Sequence, residues 1–266
     1  MNVWVKHGRM VGEYVRLAVR RETEYKAGFY TYLVHQAVTA GVWLVFWKVI
    51  LERVGNFGWW DFPRMMLLTG FVTINTGLWL SLGFVWRLPG EILRGELNSH
   101  LIKPVHPFVH FLLRRLNLRA LPRVVLGAAM VAGALWRYDL PYGAGTIAMA
   151  GVMSALSFLT TFLPFAIICL SAFWIGKAEF LRDLFVELFL FENYPLSEFP
   201  TAFIAVFTVV VPLIFSATVP VLVLTRLGTA QSLGLLGLLV AIIAGQMWLF
   251  GVLWRKGLRR YEAFGG

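Results

Sequence analysis

The 266-residue sequence has a single cysteine, Cys169, and only 14 acidic residues. One thiol makes no intrachain disulfide and no cysteine-based zinc site, so neither device is available to hold the fold together. The chain also lacks the G-x-x-x-x-G-K-[ST] phosphate cradle, because Gly176-Lys177 has neither the upstream glycine nor the following Ser or Thr. ATP, if used, is therefore bound by another chain. No H-E-x-x-H, no G-x-S-x-G and no spaced Cys/His set occurs, which removes the commonest metalloprotease and serine-hydrolase chemistries. Charged residues make up only 14% of the chain against 59% hydrophobic and 15% aromatic, too little polarity to cover a soluble surface. The sequence reads as an all-α integral membrane protein, with no room for a large soluble catalytic domain.

Long apolar runs give the layout. Residues 146–175 carry no charge and are long enough to cross the hydrocarbon with a tilt or a kink at Pro164. Residues 29–46, 65–85 and 232–253 also read as spans free of Asp, Glu, Lys and Arg. Residues 124–136 are short, unless the span begins near Leu116 with Arg119 and Arg123 snorkelling. Residues 199–224 are long but interrupted by Pro212 and Pro220, giving a proline-broken fifth span. Six transmembrane helices are thus expected within one transmembrane domain, 1–266, whose bundle occupies 29–253.

With six spans both termini share a side, together with segments 86–123 and 176–198. Of the 24 Lys and Arg, only Lys48, Arg53, Arg64, Arg137 and Arg226 fall on the other side. By the positive-inside rule the termini, including the tail 254–266, are expected in the cytoplasm and the chain in the cytoplasmic membrane. Orientation thereby accounts for the formal charge of +10, and no nucleic-acid partner is expected. Charged and mixed residues fill 1–28, so no cleaved signal is expected there either.

Two segments have amphipathic patterning. In the N-terminal one, Arg9, Glu13, Arg16 and Arg20 recur at helical spacing, with Val11, Val15, Ala18 and Val19 largely on another face. This predicts a helix along the inner membrane interface. Glu179, Arg182, Asp183 and Glu187 against Leu181, Leu184, Phe185 and Leu188 predict a second interfacial helix in the cytoplasmic segment 176–198. Either helix packs against the ends of neighbouring spans or acts as a moving linker. The longest cytoplasmic connection, 86–123, holds a short helix that Pro89 opens, with Glu91 near its positive end, and that Pro104 and Pro107 stop. In shape it is a docking element.

Arg94, Gly95, Glu96 and Leu97, followed by Leu101, Lys103, Pro104, Val105 and Pro107, resemble the signature loop of a bacterial permease family within the ABC-2 type ATP-binding-cassette transporters. Tyr194, Pro195, Leu196, Phe199 and Pro200, the Pro212 to Pro220 stretch, and Trp254, Gly257, Leu258, Tyr261 and Gly265 extend the resemblance in order along nearly the whole chain. The resemblance implies a transmembrane subunit that pairs with a second permease, identical or paralogous, and binds two separate ATPase subunits that hold ATP and Mg. It also implies that residues 88–101 form the coupling helix. Leu88, Glu91, Arg94, Glu96, Leu97 and Leu101 are the coupling residues on this reading, with Glu91, Arg94 and Glu96 touching the ATPase. In such families the piece after the fifth span often re-enters the membrane from outside. The expected activity is export of a hydrophobic or amphipathic compound, with no catalysis by the chain itself. A membrane scaffold that recruits a cytosolic partner through the same loop is the alternative.

Polar residues inside the apolar runs are the remaining candidates. Gln36 follows His35 in the first span, and Asn75 and Thr76 follow Thr73 in the second. They either hydrogen-bond between helices or line a substrate path. His106 and His110 have the i, i+4 spacing of a metal pair, yet Pro107 lies between them and no carboxylate is near in sequence, so solvated or interfacial histidines are expected, with His100 beside them. No charged residue is expected within a span, which disfavours a proton-coupled carrier or a charged channel filter.

Overall fold

The computed structural model describes residues 12–14, 16–20, 26–82, 84–103, 105–138, 140, 142–176 and 179–261. Among them are helices α1 (Lys26–Val54), α2 (Phe62–Ser81), α3 (Leu88–Leu93), α4 (Asn98–Leu101), α5 (Pro107–Arg114), α6 (Leu121–Arg137), α7 (Ala144–Leu170), α8 (Ala172–Ile175), α9 (Glu179–Leu188), α10 (Thr201–Ala205), α11 (Thr218–Thr225) and α12 (Thr229–Arg260). No strand is present among the described residues beyond an isolated bridge between Phe57 and Trp60. Four helical stretches, Tyr30–Val54, Leu118–Arg137, Ala144–Ile175 and Thr229–Arg260, are long and apolar enough to cross a membrane. Phe62–Ser81 passes the same test together with its bent continuation Phe84–Leu93. The protein is a multi-pass membrane protein, and its surface agrees. Val34, Val38, Val42, Val45 and Val49 of α1 and Leu233, Leu238, Val240, Met247 and Trp248 of α12 are all exposed, a cover that only lipid or another apolar surface tolerates.

The mainly apolar interior also holds a band of polar residues. Thr69, Thr73, Asn75, Ser154, Ser157, Thr160 and Thr161 are buried where α2 meets α7 and its neighbours. Thr69 and Thr73 each return a hydroxyl hydrogen bond to the carbonyl four residues back, so they cost little in a dry core. Small residues let α2 and α6 touch. A Cβ on Gly127 would stand 2.6 Å from the carbonyl oxygen of Gly70, and one on Gly77 would stand 2.9 Å from the amide nitrogen of Val124. Without lipid-driven collapse between helices, such close backbone approach is what gives the pair its dispersion energy.

Helix ends follow local chemistry. Asp61 caps α2 by accepting from the amide of Arg64 at 3.1 Å, and Pro63 occupies its first turn. Pro122 opens α6 in the same way. At this end of the bundle Trp60 is fully buried and donates its indole N–H to Ser197 at 3.0 Å, while Arg226 lies over Trp59. Residues 197 and 226 therefore sit beside the loop joining α1 to α2. At the opposite end α5, α8 and the end of α12 meet through Phe108, Phe173, Phe250 and Trp254.

This geometry corrects two expectations. Residues 179–188 were expected to form a second interfacial helix in the cytoplasmic segment 176–198. Instead α9 and the tight helical turns Phe189–Asn193 traverse the bundle, with Phe185 against Phe165, Phe189 against Trp79, and Tyr194 against Trp43 and Trp47. The charges of α9 misled the sequence reading, because Arg182 is tied to Asp183 on its own helix. The proline-broken fifth span, 199–224, is a hairpin rather than a crossing. It descends through α10 and the π-helical turn Val206–Val210, reverses at 211–217, and returns along α11 to Arg226. Its turn reaches mid-depth, where Thr160 donates to the carbonyl of Pro212 at 3.2 Å. Pro212 breaks the descent because it cannot donate a helical hydrogen bond. The N-terminal segment is helical at 12–14 and 16–20, with Ala18 buried and Leu17 and Val19 exposed; Arg9, Val11 and Val15 lie outside the described residues, as do Pro104 and Gly265.

Candidate functional site

Two places in the fold gather the sequence candidates. The first is the connection after α2. Residues 88–101 form two short helices rather than one, parted at Gly95, whose φ of +74° is a conformation that favours glycine. Leu88 and Leu97 are completely buried and Ile92 nearly so, which pins the inner face of this wedge to the bundle. On its outer side Leu93, Leu101 and Ile102 are exposed, and Arg94 pairs with Glu96 at 2.6 Å in the open. Burial thus divides the coupling candidates. Arg94, Glu96 and Leu101 face outward, while Leu88, Leu97 and Glu91 face inward.

Glu91 is therefore corrected as an ATPase-touching residue, since it is only 2% exposed. One carboxylate oxygen is paired with Arg115 of the stretch after α5, and the other lies 3.0 Å from Nε2 of His100. His100 Nδ1 is 2.7 Å from Nδ1 of His110, and His110 Nε2 is 2.8 Å from the hydroxyl of Tyr14. Proton bookkeeping fixes the direction of this chain for two neutral imidazoles. The carboxylate only accepts, so His100 donates from Nε2 and accepts at Nδ1; His110 then donates from Nδ1 and accepts the Tyr14 proton at Nε2. Burial first, then the Arg114 guanidinium, holds His100 below the ordinary imidazole value. Burial, with His100, Lys103 and Arg114, does the same for His110. Of the two expectations, solvated or interfacial histidines, burial excludes the solvated one for His100 and His110, and His106 rests against Trp254 with its ring centroid 5.6 Å away. Among the described residues no group of three or more His, Cys, Asp or Glu is placed to hold a metal.

The second place is a cavity of about 360 Å³. Gln36 of α1 and Asn75 and Thr76 of α2, named from the sequence as polar residues in apolar runs, all line it, so the fold brings the three together. Asn75 also donates to Ser157 of α7 at 2.9 Å, so it bonds between helices as well as facing the cavity. His35 is exposed and does not line the cavity, but its Nδ1 lies 3.3 Å from Nε2 of Gln36.

Three lining residues were missed by the sequence reading: Trp79, Arg123 and Glu192. Arg123 was read as snorkelling, and Glu192 was placed in a cytoplasmic segment. In the fold Glu192 is 4% exposed, with Ser216 and Arg123 as its polar neighbours. Glu192 is thus a buried acidic residue that lies outside the runs read as spans from the sequence. A signal existed, since Glu192 ends the otherwise apolar run Leu188 to Phe191, but only the path of α9 shows that this run lies inside.

With this geometry in view, the comparison with known families is decisive. The family described as ABC-2 family transporter protein matches residues 37–265. The chain belongs to that family. No curated protein and no solved structure matches it. An ABC-2 family protein is a transmembrane transport subunit, and in this one the matched residues take in both the wedge after α2 and the cavity between α1, α2 and Glu192.

Proposed function

We propose that this ABC-2 protein is the permease subunit of an ATP-driven exporter. A separate ATPase docks on the wedge at 93–103, and a second permease copy, identical or paralogous, completes the pathway. The observation that carries this reading is the two-sidedness of the wedge. An exposed apolar and charged tip is held by a largely buried ion pair and three buried aliphatic residues, so a push on the tip is passed to α5, α7 and α8 rather than lost in a flexible loop. ATP and Mg belong to the partner, since the sequence has no phosphate cradle. In this arrangement α1, α2, α6, α7, the α9 stretch and α12 make six crossings, 201–225 is a re-entrant hairpin open to the outside, and both termini are cytoplasmic in the inner membrane.

The test is purification of the tagged chain from its native membrane in mild detergent, followed by identification of its partners and an ATPase assay. Recovery of an ATPase whose hydrolysis responds to substitution of Arg94 supports the reading. A stable complex without ATPase in several detergents overturns it in favour of a scaffold.

A further inference from the structure

Glu192 is an anomaly in energetic terms. A carboxylate buried in an apolar bundle is costly unless its oxygens are hydrogen-bonded, and Oε1 of Glu192 is buried with no partner. It is not alone. Nε1 of Trp79 and Nε of Arg123 are also buried without hydrogen-bond partners, and all three residues line the same 360 Å³ cavity. One wall therefore offers an unused acceptor and two unused donors. Thr69, Thr73 and Thr76 spend their hydroxyl protons on backbone carbonyls, which leaves oxygen lone pairs toward the same space. Trp43, Trp79 and Phe189 supply aromatic surface around them. Val186 and Leu190, both exposed, edge the cavity, so its mouth opens on the apolar outside of the bundle.

We infer that this cavity binds the polar head of an amphipathic molecule. The head carries no net charge, donates a hydroxyl or amide hydrogen to Glu192, and accepts from Trp79 and Arg123. Charge balance selects this class. Glu192 and Arg123 already offset each other, so a charged head would leave an unbalanced charge in a buried site, whereas a neutral head with donors and acceptors satisfies all three groups at once. The aliphatic part leaves by the mouth at Val186 and Leu190, where lipid chains would otherwise lie. Discrimination follows from the same groups: an apolar analogue without donors leaves Glu192 unpaired and is rejected. This inference rests on the permease reading, for which it names the substrate class.

The test uses the full chain in nanodiscs and a monoacylglycerol carrying a diazirine in its acyl chain. Photolabelling is expected on peptides containing Trp43, Phe189 or Leu190. Monolauroylglycerol is expected to compete, while methyl laurate, dodecylamine and dodecanoate do not. Glu192→Leu should lower labelling about tenfold, the loss expected for one hydrogen bond to a charged group. Trp79→Phe, which keeps the ring packing and removes only the indole N–H, should weaken it less. Glu192→Leu also strips the buried Arg123 of its counter-charge and should lower the melting temperature, so Glu192→Gln, which keeps the side-chain volume and an oxygen acceptor, is labelled beside it and should show an intermediate loss. Labelling of Glu192→Gln equal to that of the parent overturns the inference. So does labelling outside the cavity, labelling unchanged in Glu192→Leu and Trp79→Phe, or equal competition by methyl laurate. An unlabelled chain that still carries its ATPase refutes this site alone. A labelled chain without ATPase refutes the transport reading and leaves the site standing.

Discussion

Nδ1 of His100 lies 2.7 Å from Nδ1 of His110, a contact in which one imidazole must donate and the other accept. That single distance ties the wedge after α2 to α5 and, through Tyr14, to the N-terminal helical segment. Tyr14, Lys103, Glu91, Arg114 and Arg115 are the other titratable groups around the pair. The network makes the attachment of the wedge dependent on protonation.

Both imidazoles sit below their ordinary value of 6.5, because burial and nearby cations disfavour the charged ring. Arg115 takes the other oxygen of Glu91, so the carboxylate's pull on His100 is shared. The unfolded chain then binds protons first as pH falls, and the stability contributed by the neutral pair is intact above about 6.5 and lost below it as pH passes through the lowered folded values. Melting in nanodiscs at pH 8, 6.5 and 5 should show this decline, and His100→Gln with His110→Asn should flatten it. A wild-type melting temperature independent of pH would sink the assignment.

Glu91 and Arg94 are three residues apart and should behave oppositely. Glu91→Ala leaves Arg115 and His100 without their acceptor and should cost about 3 kcal/mol or more. Arg94→Glu touches an exposed pair and should leave melting unchanged while reducing ATPase coupling. Thermal melting and ATPase assays of the two variants separate the roles; equal destabilisation would contradict the burial pattern.

Gly127→Ala should be disproportionately harmful for one added methyl group. The new Cβ meets the backbone of Gly70 and Ile74, which cannot rotate away, so α2 and α6 must part. A loss of roughly 1–3 kcal/mol is expected, against almost none for Gly133→Ala, whose Cβ would meet only the end of Met66 at 3.6 Å. Denaturation of the two variants side by side is the measurement.

The path of residues 179–226 is checked by labelling. In a Cys169→Ala background, Glu198→Cys should react with a membrane-impermeant maleimide added to intact cells, since Glu198 is exposed beside the loop joining α1 to α2. Reaction only after the membrane is opened would restore the expected cytoplasmic segment.

Long uninterrupted apolar runs needed nothing beyond composition. Residues 146–175 and 232–253 correspond to α7 with α8 and to α12 because only a helix satisfies its own backbone in lipid, and length alone then decides the crossing. The polar residues at 36, 75 and 76 were visible for the same reason: an amide in hydrocarbon stands out against its neighbours. The family, too, was legible in Arg94 to Val105.

Tertiary structure decided what sequence spacing leaves equal. An amphipathic stretch such as α9 fits an interface or a protein-lined crossing equally well, and the partners of this stretch come from elsewhere in the chain: Phe165 is 20 residues before Phe185 and Trp79 is 110 residues before Phe189. Nor does sequence show whether Glu91 faces a partner or the interior, because burial depends on where Arg115 and His100 are carried by α5 and α4. Local patterns fix which segments are helical and apolar; which polar groups meet, and in what cavity, is set by contacts that exist only after the helices have packed.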